Sequence, residues 1–195
     1  MPSLLTPAIA AGALARSAQP TVPAGEGVTL RPWRPDDADA VMEAFQDPGI
    51  QRWHARRADS VDETRAWIEG WRAAWQAETD AHWAMAATGA DRLLGRISLK
   101  SFNLVDGTAE VAYWTAPWAR GGGVCTRAVL AVAGWALDEA GFHRLELQHS
   151  TGNPASCRVA AKAGFEAEGT RRGAALHTDG WHDMHLHARV SDRHR

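Results

Sequence analysis

Apolar and polar positions recur along the chain with two periods. Residues 28–33, 82–87 and 93–102 read as strands. The turn Gly89-Ala90-Asp91-Arg92 joins the second and third of these. Residues 108–114 continue the pattern, with Glu110, Ala112 and Trp114 on one face and Val111 and Tyr113 on the other. Residues 144–149, 166–175 and 181–190 read as the last strands, the final two joined at Thr178-Asp179-Gly180. The helical period predicts a helix from Pro35 and Asp36 to about Asp47-Pro48-Gly49, with Asp36, Asp37 and Asp39 in its first turn, where the helix dipole favours acids. A second helix covers residues 61–79, with Trp67, Trp71 and Trp75 in one stripe. A third covers 124–140, with Val124, Ala128, Val132, Ala136 and Ala140 in register and a stop at Gly141. Residues 50–60 read as a loop. Strands clustered between helices without strict alternation predict an α+β fold with a mixed sheet.

Arg120-Gly121-Gly122-Gly123-Val124-Cys125-Thr126 stands where the strand period gives way to the helical one. Glycine lets a ligand approach the backbone and adopts positive φ at little cost. The first N–H groups of a helix lack intrahelical partners and, with the dipole, suit phosphate. The spacing matches neither G-x-x-x-x-G-K-[ST] nor G-x-G-x-x-G. A flexible turn and an anion site therefore both remain open at this point. Downstream, Asn153 suits an N-cap, Pro154 the first helical position and Gly164 the left-handed residue past the end of a short helix.

Arg120-x-x-Gly123-x-Cys125 resembles the Arg/Gln-x-x-Gly-x-Gly/Ala signature of GNAT acyltransferases. Asn153-x-x-Ser156 with Lys162-x-Gly164-Phe165 resembles their RimJ/RimL branch, as does the opening from Leu30 to Ala38. The two motifs stand in the family's order and at about its separation. The resemblance implies a mostly antiparallel sheet of about six to seven strands with about four helices. It also implies transfer of an acyl group, most often acetyl, from acetyl-CoA to an amine, with no metal. The main chain of Gly121, Gly122, Gly123, Val124, Cys125 and Thr126 would cradle the cofactor's diphosphate, with charge added by Arg120. The main chain of Trp114, Thr115 and Ala116 would bond the pantetheine arm, and Asn153 would reach the same arm or serve only as a cap.

The chemistry needs a proton acceptor for the amine, donors for an oxyanion and stabilisation of the leaving thiolate. Glu110, at the start of the strand that leads to the cofactor, is the first choice of base; His54 and His82 are weaker ones, and water is an alternative. Ala160 stands seven residues after Asn153, where many of these enzymes carry a tyrosine, so Ser156 is the candidate donor to sulfur. Cys125 replaces a Gly or Ala, and a helix N-terminus would lower its thiol pKa. Trp53 and His54 in the loop, with Trp71 and Trp75 from the stripe, are candidate walls for the acceptor. His185 and His187 would share a strand face near His182, but no carboxylate or cysteine spacing completes a metal site of the usual kind.

Composition narrows the partners. The chain has 195 residues, a formal charge of −2 and 45% apolar residues, enough for one domain. Near-neutral charge gives no footprint for nucleic acid or an anionic membrane, and no apolar run approaches the ~20 residues of a membrane span. Two cysteines without metal or disulfide spacing fit a reduced cytoplasm. Residues 1–27, rich in Ala, Pro and Gly, read as an arm. Ala13-Leu14-Ala15 looks like a signal cleavage site, but no Lys or Arg precedes the apolar part and Pro7 and Gly12 interrupt it. The arm packs on its own domain or on a second subunit of a homodimer; residues 28–190 form the acyltransferase domain and 191–195 a tail. The acceptor is an amine, either a protein N-terminus or a small molecule. A non-catalytic acyl-CoA-binding module and a plain nucleotide binder are the competing classes.

Overall fold

The computed structural model describes residues 4–192, so part of the expected tail, 193–195, lies outside the described residues. Eight strands form one sheet: β1 (Val22–Pro23), β2 (Val28–Pro32), β3 (Ala81–Ala87), β4 (Leu93–Asn103), β5 (Thr108–Thr115), β6 (Arg144–Ser150), β7 (Glu166–His177) and β8 (Gly180–Val190). Their order is β1-β2-β3-β4-β5-β6-β8-β7, and every pair is antiparallel except β5–β6. The helices are α1 (Ala38–Ala44), α2 (Pro48–His54), α3 (Val61–Gln76), α4 (Val124–Gly134) and α5 (Pro154–Lys162). A π-helical turn, Trp135–Glu139, extends α4. This is the α+β class the pattern predicts, with one strand more because the arm supplies β1.

The two faces of the sheet sort as the alternation requires. Val41 of α1 and Ile68 and Trp71 of α3 bury with Ala84 and Trp114. Val129 and Val132 of α4 and Ala160 of α5 bury with Ile97, Leu99, Val111, Leu145 and Leu147. Fully burying such a side chain is worth about 1.5–3 kcal/mol, so these two layers carry most of the stability. The arm folds back onto this domain. Ile9 and Leu14 are buried in the α4-side core. The Glu78 carboxylate accepts the Leu14 and Ala15 N–H groups at 2.7 and 3.1 Å. Trp75 and Trp83 donate their indole N–H groups to the Ser17 and Pro20 carbonyls at 3.0 and 2.8 Å.

One expected loop is partly a helix. Asp47-Pro48-Gly49 ends α1 but also starts α2, because the Asp47 side chain accepts the Ile50 N–H at 2.9 Å and Pro48 takes the first position. The restarted helix delivers Trp53 and His54 to the centre of the molecule.

The sheet also opens in its middle. β5 and β6 pair from Thr108↔Arg144 only to Val111↔Leu147, whereas β5 stays paired with β4 as far as Thr115. From Ala112 to Thr115, one edge of β5 therefore faces a gap. Gly95 of β4 permits the close approach on the other edge: a Cβ there would lie 2.3 Å from the Trp114 carbonyl oxygen.

Candidate active site

The main-chain direction along that gap follows from one hydrogen bond. The Ala116 N–H donates to the Leu94 carbonyl at 2.9 Å. In an antiparallel ladder, alternate residues bond to alternate sides. Ala116, Trp114 and Ala112 therefore bond β4, and the main-chain groups of Tyr113 and Thr115 face the opening. This corrects the pantetheine contacts expected of Trp114 and Ala116, whose amides are already used. Thr115 keeps its expected exposure to the gap, and Tyr113 joins it.

Two cavities meet in the opening. The larger, about 460 Å³, runs from the glycine turn to α5. The smaller, about 120 Å³, lies between α2, β5 and β6 and includes His149, His177 and Met184 in its walls. Trp53, His54, Tyr113, Asn153 and Ser156 line both.

The glycine turn closes one end of the larger cavity. Gly121, Gly123, Val124, Cys125 and Thr126 line it; Gly122 does not. Gly121 and Gly123 have φ of 82° and 72°, and Gly123 is the N-cap of α4 with no side chain to satisfy the first amides. Arg127 ties the turn down by donating to the Gly122 carbonyl at 2.8 Å. The first N–H groups of α4 thus point into a polar-mouthed cavity, the arrangement that suits a phosphate. Arg120 lines the same cavity, but its guanidinium is engaged by Asp47, at 2.5 and 3.2 Å. The bond to Arg120 holds the Asp47 carboxyl below its ordinary range. The positive charge expected from Arg120 is therefore largely spent on anchoring α2. From the opposite wall, Arg158 and Lys162 of α5 reach the cavity.

Cys125 is where burial outweighs the helix terminus. Desolvation pushes its thiol up to about 12, opposite to the lowering expected of a helix N-terminus, so it stays protonated. Asn153 caps α5, accepting the Ser156 N–H at 3.2 Å, while still lining both cavities.

His54 stands at the junction. Burial first, and then the charge of Arg96, pushes its imidazole down to about 4, so the ring is neutral at physiological pH. The ring lies against the Tyr113 main chain, which offsets part of that fall. Tyr113 is the only tyrosine in the chain. Its hydroxyl is buried without a well-formed partner, beside Ser156 and Cys125. Burial raises this phenol above its ordinary value, which keeps it a neutral O–H donor.

Several expected residues lie elsewhere. Glu110 lines neither cavity; it pairs with Lys100 across the ladder at 3.5 Å. Trp71 packs its ring on Trp33 at 4.8 Å and under the Arg96 guanidinium, within the α1–α3 core. Trp75 is buried beneath the arm, next to Trp135. Neither tryptophan walls the cavities, because the α3 stripe faces the sheet and not the gap. His82 is buried against Ser98, its Nδ1 at 2.7 Å from the hydroxyl. His182 binds the Ser150 hydroxyl and Asp179, at 2.7 and 2.8 Å. Tyr113 is the site residue that sequence reasoning missed; its uniqueness and its place on the strand before the glycine turn were the available signals.

Comparison with known proteins agrees with this fold. Residues 28–166 match the model of the acetyltransferase (GNAT) domain family. The chain is 28% identical over 167 residues to the Probable N-acetyltransferase YjcK of Bacillus subtilis, covering 82% of this chain and 91% of that one. It is 30% identical over 102 residues to the ribosomal-protein-serine acetyltransferase of Escherichia coli, covering 52% and 57% of the two. The fold matches that of the ribosomal L7/L12 alpha-N-protein acetyltransferase RimL in complex with coenzyme A. There the TM-score is 0.79 at 20% identity, covering 89% of this chain and 99% of that one.

Proposed function

The chain belongs to the GNAT acetyltransferase family, in its RimJ/RimL-like branch, and from that footing we propose that it moves the acetyl group of acetyl-CoA to the α-amine of a protein N-terminus with a small first residue. That it is an acyltransferase follows from the family; the acceptor and the roles below are our reading. The observation that carries the reading is the pair of cavities sharing His54, Tyr113 and Ser156 at their junction.

The diphosphate sits on the amides of Gly121 to Thr126, and the pantetheine arm runs along Tyr113 and Thr115, whose main-chain groups replace the missing β6 partner. The thioester then lies at the junction. An amine entering the smaller cavity donates a hydrogen bond to an imidazole nitrogen of His54, attacks the thioester carbonyl and gives its proton to that nitrogen. Main-chain N–H groups facing the gap stabilise the oxyanion. As the C–S bond breaks, the Ser156 hydroxyl donates to sulfur, with the Tyr113 phenol behind it as a second donor. The small size of the second cavity favours a short N-terminal residue over a bulky amine. The name of the Escherichia coli relative, a ribosomal-protein-serine acetyltransferase, supports the same class.

The test is thiol release from acetyl-CoA with a panel of peptides and small amines. Peptides beginning with Ser or Ala should turn over fastest. Turnover of small amines alone would overturn the acceptor class, and tight CoA binding with no transfer to any amine would favour a cofactor-binding module.

A further inference from the structure

Four side chains that the transfer reaction does not use converge beneath α5. His149 comes from β6, Cys157 from the first turns of α5, and His185 and His187 from β8. One potential ligand atom from each lies within 4.8 Å of every other. The sheet register explains the convergence: His149 pairs with His185 and Leu147 with His187, so all three imidazoles emerge on the face that α5 covers. His149 and His187 are buried, while Cys157 and His185 are half-buried.

The hydrogen bonding inside the cluster turns ring nitrogens toward its centre. The Ser150 carbonyl, 2.9 Å from His149 Nδ1, can only accept, so that nitrogen carries the hydrogen and the neutral ring turns a lone pair outward at Nε2. His149 Nε2 lies 3.1 Å from His187 Nε2. Were His187 to donate from Nε2, its Nδ1 would be left as a bare buried acceptor, and Nδ1 has no partner. A cation between the two rings would take both Nε2 lone pairs, which otherwise face each other at 3.1 Å unless one ring is protonated there. An imidazole whose Nδ1–H is tied to a carbonyl while Nε2 faces the ion is the usual posture of a ligating histidine.

We propose that His149, Cys157, His185 and His187 form a tetrahedral site for a zinc-type divalent cation that pins α5 to β6 and β8. Three neutral imidazoles and one thiolate are donors that such an ion prefers. Ligand atoms around tetrahedral zinc stand about 3.3–3.8 Å apart for the usual Zn–N and Zn–S distances. The widest separation need only close by about an ångström to reach that, while the two Nε2 atoms at 3.1 Å move slightly apart. Binding releases the Cys157 thiol proton to solvent as the sulfur ligates. The site would hold the helix whose N-terminus carries Asn153 and Ser156, and so couple a structural ion to the cofactor cavity.

The test is cobalt substitution. The full chain is stripped with chelator, dialysed and titrated with Co²⁺. The expected result is one saturable equivalent, with intense tetrahedral d–d absorption and a thiolate-to-cobalt charge-transfer band that Zn²⁺ displaces. Cys157→Ser should abolish the charge-transfer band while its far-ultraviolet circular dichroism stays native. His185→Gln should weaken binding by more than the roughly 100-fold that losing an outer partner of a ligand can cost. No uptake, a weak octahedral spectrum, or a charge-transfer band unchanged in Cys157→Ser overturns the proposal. Because the readout is a spectrum and not turnover, it stands or falls separately from the assigned reaction.

Discussion

The His54 imidazole lies against the main chain of Tyr113, and the two residues line both cavities, which ties the acceptor side of the gap to the cofactor side. α2 exists because Asp47 caps it, and Arg120 at the glycine turn grips the same carboxylate. A single ion pair therefore joins the proposed diphosphate cradle to the helix that carries the proposed base.

His54→Gln keeps the size and one donor but loses the proton-accepting nitrogen. It should lower kcat by about 100-fold, within the range of general-base catalysis, while changing the acetyl-CoA dissociation constant far less. The wild-type ring is neutral above about pH 4, so kcat/KM should show no histidine limb near pH 6.5. Steady-state kinetics between pH 5 and 9 check both points, with Glu110→Gln as a variant expected to retain most turnover because Glu110 lines neither cavity.

Tyr113→Phe and Ser156→Ala each remove one donor near the expected thiolate. Each should reduce kcat by about tenfold or more, and the double variant should lose less than the product of the two, because the donors act on one sulfur. A strictly multiplicative loss in single-turnover assays would count against their acting together.

Gly95→Ala places a methyl against the Trp114 carbonyl and the Thr115 Cα, neither of which is the free end of a flexible side chain. It should destabilise the protein by about 1–3 kcal/mol, as overpacking does. Urea unfolding measures that cost, and because β5 must move, acetyl-CoA binding should weaken as well.

Much of the fold was legible. The strand faces of β5, the glycine turn and the cap at Asn153 all follow from local spacing, and local spacing is what a single sequence displays. α2 was hidden because Asp47-Pro48-Gly49 reads equally as a stop and as a start; only the Asp47 to Ile50 bond decides it. Trp71 and Trp75 read as walls because a stripe shows that a face is buried without showing against what. The histidine–cysteine cluster was only half visible, as His185 and His187 on one strand face. His149 and Cys157 come from two other elements, and only the β6–β8 register and the seating of α5 bring them in.

Two desolvated histidines, His54 half-buried and His82 buried, set an acid limit on stability. His54 and His82 are held down to about 4 and about 3, each chiefly by burial. Between these values and about 6.5 the unfolded chain binds protons that the native state does not, so native stability falls as pH falls through that window. Each histidine should contribute a slope of about 1.4 kcal/mol per pH unit once pH is well below 6.5. Urea unfolding from pH 7 to 5 should show this decline, and His82→Asn should remove about one proton of it. A flat or rising stability would contradict the burial of these rings.

The most direct test of the account is a crystal structure with coenzyme A bound. The account places the diphosphate oxygens about 3 Å from the main-chain nitrogens between Gly121 and Thr126, with the pantetheine amides paired to Tyr113 and Thr115 and the sulfur beside Ser156. A cofactor whose diphosphate sits away from those amides, or whose sulfur lies outside the junction of the two cavities, would contradict it.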